Sequence, residues 1–205
     1  MKRYECLQAV AEEAADALVI STVGGAAAEW NSIRPSDGNF RCRTLGLVSS
    51  IAMGLALTLP KRLIVAIDGD GAVLMNACGL PTLARESPPN LIHLVFDNEI
   101  YEASGLRPTA THGGADLIAM AKGAGVKHAS WVSSVANFKE EFQRAKQRKA
   151  FAMIAAKVEG GLDYLNSWRR LPAFAYSEVE NAYRFMRYIE QTEGIRVVPL
   201  PGPRH

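Results

Sequence analysis

Apolar residues at Leu7, Val10, Ala14 and Leu18 recur at three- and four-residue spacing, which predicts an amphipathic helix over residues 3 to 17. A short run, Leu18 to Thr22, reads as a strand and stops at Gly24-Gly25. Residues 45 to 59 are apolar on almost every side, as in a buried helix. Leu63-Ile64-Val65-Ala66-Ile67 is continuous and rich in β-branched residues, and it ends in Asp68-Gly69-Asp70-Gly71. Strands buried on both faces of a parallel sheet have this pattern. Helical spacing returns over 73 to 86, and Leu91 to Phe96 form a second buried strand ending at Asp97-Asn98. A helix near 115 to 123, a strand near 126 to 132, a helix over 135 to 148 and a strand at 151 to 156 complete the series. This alternation predicts an α/β fold with a doubly wound, mainly parallel sheet. It breaks after Glu159-Gly160-Gly161, where a linker-like stretch leads to Ser177. Ser177 and Glu180 make a capping box before a helix over 177 to 191, with an apolar stripe of Val179, Ala182, Tyr183, Met186 and Ile189. The expected division is an α/β domain over 1–160 and a C-terminal helical extension over 161–205, whose Pro201-Gly202-Pro203 tail frays.

Composition narrows the function classes. The 205 residues are 48% hydrophobic and 21% charged, ordinary usage for one globular domain. Lys and Arg number 23 against 21 Asp and Glu, a net charge of +2 with the basic residues scattered, so no nucleic-acid partner is expected. The most apolar run, Leu45 to Leu59, is interrupted by Ser49 and Ser50 and falls short of the roughly 20 residues of a membrane span. Cys6, Cys42 and Cys78 lack C-x-x-C spacing and read as buried free thiols, which fits a reducing, cytoplasmic location. No signal peptide is visible at the N-terminus.

Open parallel sheets bind ligands at the carboxyl ends of their strands. Two such ends carry oxygen ligands, Asp70 within Gly69-Asp70-Gly71 and Asn98 after Asp97. Gly69 and Gly71 permit a sharp turn and let a phosphate approach the N–H groups that open the next helix. A carboxylate and an amide oxygen suit Mg²⁺, which takes few protein ligands and fills its octahedron with phosphate oxygens and water. Twenty-eight residues separate Asp70 from Asn98, the span one helix and one strand need to return beside the starting strand. A dinucleotide fingerprint fails because Leu74 stands where a glycine is required, and a calcium loop fails at Ala72. From the residues alone, a generic phosphate- or nucleotide-binding domain and a simple Asp-capped turn remain as rivals.

Gly69-Asp70-Gly71 followed by Asp97-Asn98 resembles the cofactor-binding motif of thiamine diphosphate enzymes. The similarity extends over residues 41 to 83 and through Asp97-Asn98-Glu99-Ile100-Tyr101-Glu102-Ala103-Ser104-Gly105 to Pro108-Thr109, and there it resembles the sulfopyruvate and phosphonopyruvate decarboxylases. The chain is similar to the separate diphosphate-binding subunits of that group. The resemblance implies thiamine diphosphate and Mg²⁺ as cofactors, with Asp70, Asn98 and the Ile100 carbonyl as metal ligands. Gly69, Gly71 and Ala72 would meet the diphosphate, and Gly24 and Gly25 would line its pocket. Leu45 matches the bulky residue that wedges beneath the cofactor and bends it. The Arg43 carbonyl would hold the aminopyrimidine's exocyclic nitrogen, and Tyr101 would form a pocket wall. The substrate implied is a small anionic 2-oxo acid, decarboxylated without oxidation.

The activating glutamate of such sites belongs to a pyrimidine-binding domain, so a separate pyrimidine-binding (α) subunit is expected, together with self-association. Glu5, Glu12 and Glu13 read as the solvated face of a helix instead. Two segments depart from the family. Arg43-Thr44-Leu45-Gly46 stands where Gly-Ser-Met-Gly is usual, and Ala103-Ser104-Gly105-Leu106-Arg107 where Ser-Thr-Gly-Gly-Gln is common. Arg107 is a candidate for an anionic substrate tail or a solvated loop residue. His112 is the one histidine placed for acid–base work, while His93 reads as a sheet residue, His128 as the start of a late strand and His205 as part of the tail. A non-catalytic or regulatory thiamine diphosphate-binding subunit, or a subunit of another thiamine-dependent carboligase or lyase, is the alternative.

Overall fold

Side chains alternate across a strand, so strands that are apolar at every position require helices on both faces of their sheet. A computed structural model describes residues 1–198 and has this arrangement. The elements are α1 (Arg3–Val10), β1 (Leu18–Thr22), α2 (Gly25–Ile33), β2 (Asn39–Cys42), α3 (Val48–Thr58), β3 (Ile64–Gly69), α4 (Asp70–Met75), α5 (Gly79–Glu86) and β4 (Leu91–Asp97). They continue with β5 (Ile100–Tyr101), β6 (Arg107–Pro108), α6 (Leu117–Gly123), β7 (His128–Val132), α7 (Val135–Arg148), β8 (Ala152–Lys157), α8 (Leu162–Arg169) and α9 (Glu178–Glu193). Six parallel strands lie in the order β2-β1-β3-β4-β8-β7, and β5 pairs antiparallel with β6 in a small ribbon.

The pleat sorts the core into two halves. Leu18, Ile20, Ile64, Ala66, Leu91 and Val95 pack under α3, α5 and α6. Val19, Val65, Ile67, Ile92, Leu94 and Ile154 pack under α1, α2 and α7. His93 falls on the first face, opposite the small Ala66, which leaves room for its ring. Its Nε2 lies 3.4 Å from Asp68 Oδ2, while Nδ1 has no partner. The strand reading of His93 therefore holds, with only one ring nitrogen satisfied.

Several boundaries differ from expectation. The first helix ends at Val10 rather than continuing to residue 17, yet Ala14 stays buried. Bonds at three-residue spacing, Ala11 to Gln8 and Ala15 to Glu12, tighten this stretch while keeping one face inward. The helix expected over 73–86 is two, parted at Asn76, whose amide turns aside to donate to Gly46 O at 2.7 Å and Ser50 Oγ at 3.2 Å. α2, β2 and α8 arise where no regular element is expected. Cys6 and Cys42 are buried free thiols, and burial pushes the Cys6 thiol up to about 11. Cys78 is exposed, in the turn that opens α5, and corrects the reading of three buried thiols. The Pro-rich tail and His205 lie outside the described residues.

The C-terminal helix buries only part of its expected stripe, keeping Ile189 and adding Phe185. Val179 and Tyr183 are exposed, whereas Phe185 and Ile189 are buried. The reason is β2, the edge strand: Phe185 meets Phe40 with ring centroids 5.5 Å apart. Asn181 closes that edge by accepting from Arg41 N and donating to Asn39 O, both at 2.9 Å. Free edges invite pairing with other chains. Replacing Asn181 with alanine should remove both bonds and cost about 1–2 kcal/mol, read as a lower melting temperature. An unchanged melt would show that water replaces the amide without penalty.

Candidate cofactor site

The sheet order reverses between β1 and β3, because the chain moves outward from β1 to β2 and then crosses back to β3. Crevices form at such a switch point, at the strands' carboxyl ends. Gly24-Gly25 follows β1, Asp70 and Gly71 follow β3, and Asn98 follows β4, so adjacent strands deliver all three groups to one edge. They line a cavity of about 110 Å³. Its wall includes Gly24, Gly25, Leu45, Gly69, Asp70, Gly71, Ala72, Asn98, Ile100 and Tyr101, ten of the positions singled out in the sequence. Larger hollows lie beside α8 (about 640 Å³) and β2 (about 380 Å³), but neither includes the acidic and amide ends of β3 and β4.

Local geometry explains the glycines. Gly24 has φ 97°, a left-handed backbone that favours glycine, and so turns the chain directly from β1 into α2. A Cβ at Gly71 would overlap the Tyr101 ring. Leu106 also has a positive φ, 58°, at the place where the family pattern has its second glycine. Left-handed backbone costs a branched residue about 1–2 kcal/mol, against roughly 0.4–1 kcal/mol of extra unfolded-chain freedom that glycine brings. Leu106→Gly should thus raise the melting temperature slightly. A lower one would mean that the leucine side chain contributes more packing than its backbone costs.

Asp70 is 2% exposed and sits near two more buried carboxylates, Asp68 and Asp97. Thr109 Oγ1 donates to Asp70 Oδ2 at 2.5 Å. Thr111 Oγ1 lies 3.0 Å from the same oxygen and 2.8 Å from Asp97 Oδ1, and its single proton serves one carboxylate at a time. Burial pushes the Asp70 carboxyl above the usual range; the Thr109 bond opposes this and the neighbouring Asp97 charge adds to it. Asp97 has Lys157 Nζ at 2.8 Å, and Asp68 has His93. Among the described residues Asp70 has no such cationic partner.

Asn98 Nδ2 donates to Glu102 Oε1 at 2.9 Å, while Oδ1 accepts the Ile100 N–H at 3.2 Å and keeps a second lone pair. A buried carboxylate lacking a counter-charge beside an amide oxygen fits a hard divalent cation. Two buried polar atoms of the cavity wall, Arg3 Nη2 and Thr22 Oγ1, have no partner, as expected of a site that receives a polar ligand. No cluster of three or more His, Cys, Asp or Glu side chains suited to a metal occurs among the described residues.

Other sequence candidates lie outside this wall. Arg43, expected to act through its backbone carbonyl, is not part of this wall, and its side chain is 71% exposed and pairs with Glu178 at 2.6 Å. His112 is 65% exposed, 3.6 Å from Glu99, and Arg107 is exposed. The sequence reading passed over Arg3, Glu29, Glu102, Tyr164 and Trp168. Trp168 Nε1 donates to Glu102 Oε2 at 3.0 Å, so α8 reaches the cavity mouth. Glu102 stands within the resembling motif and was legible there; the others carry no local signal. Among the described residues, no helix is long and apolar enough to cross a membrane.

Residues 31–156 match the family model described as "Thiamine pyrophosphate enzyme, C-terminal TPP binding domain". Sulfopyruvate decarboxylase subunit beta of Methanocaldococcus jannaschii is 32% identical over 77% of this chain and 84% of that protein. Phosphonopyruvate decarboxylase of Streptomyces viridochromogenes is 30% identical over 88% of this chain and 44% of the relative. Among solved structures, a 2-oxoglutarate:ferredoxin oxidoreductase from Magnetococcus marinus superposes with a TM-score of 0.66 and 14% identity, covering 95% of this chain and 85% of that one. Benzoylformate decarboxylase from Polynucleobacter necessarius gives 0.64 and 18%, covering 79% of this chain and 34% of that one. These structural likenesses carry the fold, and the family match carries the kinship: this chain belongs to the thiamine pyrophosphate enzymes, in which it represents the C-terminal TPP-binding domain.

Proposed function

We propose that this chain is the diphosphate-binding subunit of a thiamine diphosphate-dependent 2-oxo acid decarboxylase acting on a small anionic pyruvate, of the sulfopyruvate or phosphonopyruvate kind. The observation that carries the reading is the meeting of Gly24-Gly25, Asp70 and Asn98 in one cavity at the sheet's switch point. Its support in kinship is that relatives at 30–40% identity bear those decarboxylase names. In this reading residues 1–160 form the binding domain and 161–205 the extension.

Asp70, Asn98 and the Ile100 carbonyl would hold Mg²⁺, with the Thr109 hydroxyl fixing the Asp70 carboxylate and Glu102 fixing the Asn98 amide. Gly71 and Ala72, which line the cavity at the start of α4, would offer backbone N–H groups to the diphosphate. Leu45, Phe96 and Tyr101 would form the apolar part of the wall against which the cofactor rests. When bound, thiamine diphosphate would supply the electron sink for the bonding pair that departing carbon dioxide leaves behind. A cavity of about 110 Å³ is small beside the roughly 300–1,000 Å³ of whole ligand sites. In this reading the pyrimidine end and its activating glutamate belong to a partner subunit, in keeping with the "subunit beta" names of several relatives.

The test is carbon dioxide release. The chain combined with a pyrimidine-binding chain, Mg²⁺ and thiamine diphosphate should decarboxylate sulfopyruvate or phosphonopyruvate, and either chain alone should not. Cofactor binding without turnover of any anionic 2-oxo acid in that mixture would sink the decarboxylase assignment.

A further inference from the structure

Arg3 opens α1, far in sequence from the cofactor motif, yet it lines the cofactor cavity. Its side chain is only 7% exposed. One edge of the guanidinium is committed: Nε donates to Glu29 Oε2 at 2.7 Å, and Glu29 is itself held by the Tyr164 hydroxyl, which donates to Oε1 at 2.7 Å. The Arg3–Glu29 pair is therefore fixed and internally neutral. The other edge is not committed. Nη2 is buried without a hydrogen-bond partner, and Glu102 Oε2 stands off at 3.9 Å. This free nitrogen lies against Gly25, the first residue of α2, where an added Cβ would overlap it. Gly24, with φ 97°, and Gly25 and Ala26 at the start of α2 line the same cavity, and the unpartnered Thr22 Oγ1 lies in that wall as well.

A guanidinium edge, a hydroxyl and a helix N-terminus that share one buried wall are complementary to a phosphoryl group. We propose that Arg3, through Nη2, binds the cofactor's terminal phosphate and makes this chain discriminate thiamine diphosphate from thiamine monophosphate. Glu29 and Tyr164 are its positioning residues. Asp68, Asp70 and Glu102 line the same cavity, so the anion enters together with its divalent cation rather than alone. This assignment rests on the diphosphate-binding reading above but names a contact outside the Gly-Asp-Gly motif.

Calorimetry on the full chain with Mg²⁺ tests it, using inorganic pyrophosphate, thiamine diphosphate and thiamine monophosphate as probes. Arg3→Met alone would leave the Glu29 charge buried and unpaired, so Arg3→Met/Glu29→Gln is the informative variant and Glu29→Gln its control. The double variant should fold, bind pyrophosphate about ten- to a hundredfold more weakly, and lose most of its preference for the diphosphate over the monophosphate. Glu29→Gln alone keeps an acceptor for Nε but loosens the positioning, so it should weaken pyrophosphate binding less than the double variant does; an equal loss in both would assign the effect to Glu29 and overturn the Arg3 contact. A double variant that binds pyrophosphate within twofold of the parent, with the preference intact, overturns the assignment and leaves the diphosphate site standing. Failure of the parent chain to bind either diphosphate overturns both readings.

Discussion

Asp70→Asn should weaken Mg²⁺-dependent thiamine diphosphate binding by more than about a hundredfold, since loss of even an outer-shell partner of a metal costs roughly ten- to a hundredfold. The same change should leave the ligand-free chain at least as stable as the parent. Asp70 is buried beside Asp97, and among the described residues its charge is answered by the Thr109 and Thr111 hydroxyls and the Gly71 backbone N–H, with no cation. Its carboxyl pKa is raised by that burial, so at neutral pH ionisation favours the unfolded chain, where the carboxylate is hydrated. An amide of the same shape removes that cost and can still accept from Thr109. Stability lost and function gained at one residue is what a preorganised cation site requires. Calorimetric titration and thermal melting at neutral pH read the two effects separately. Unchanged cofactor affinity would move the cation elsewhere; a clearly lower melting temperature would mean that the threonine hydrogen bonds outweigh the repulsion.

The parts of this site that were legible in the sequence are those confined to one turn of chain. Gly69-Asp70-Gly71 ends a run of buried β residues, and Asn98 ends the next, so topology alone brings them together. The central strands announced themselves because both of their faces are apolar. β2 did not: Asn39, Phe40 and Arg41 are half-exposed at the edge, and the segment is a strand because it pairs with β1 and is capped by Asn181. α2 begins Gly-Ala-Ala-Ala and has no charged stripe to set its period. α8 lies in a stretch that reads as a linker, yet it carries the Trp168 and Tyr164 contacts to Glu102 and Glu29. Arg3 and Glu29 are 26 residues apart and joined only in the folded chain. No spacing rule connects such residues, so the electrostatic lining of the cavity is a tertiary property while its metal ligands are a local one.

The largest stability loss is expected from Phe138→Ala, and it bears on the site from behind. Phe138 is fully buried in α7 and stacks on Phe96 with ring centroids 5.5 Å apart and planes at 28°. Phe96 is the last apolar residue of β4 before Asp97 and Asn98, and it also forms part of the cofactor cavity's wall. The Phe138 ring thus backs the strand end that presents a metal ligand. Its deletion should cost about 3–5 kcal/mol, or roughly 6 to 20 °C in melting temperature for a chain of this size. Phe142 lies one turn further along α7, is equally buried and has no ring stacked on Phe96 among the described residues. Phe142→Ala should lose similar stability, and the comparison separates packing from function. If β4's end depends on its backing ring, Phe138→Ala also weakens Mg²⁺–thiamine diphosphate binding well below its melting range, whereas Phe142→Ala binds as the parent does. Equal affinities in both variants would show that the strand end is held by its ladder to β3 and β8 alone, with Phe138 contributing to stability and nothing to the geometry of Asn98.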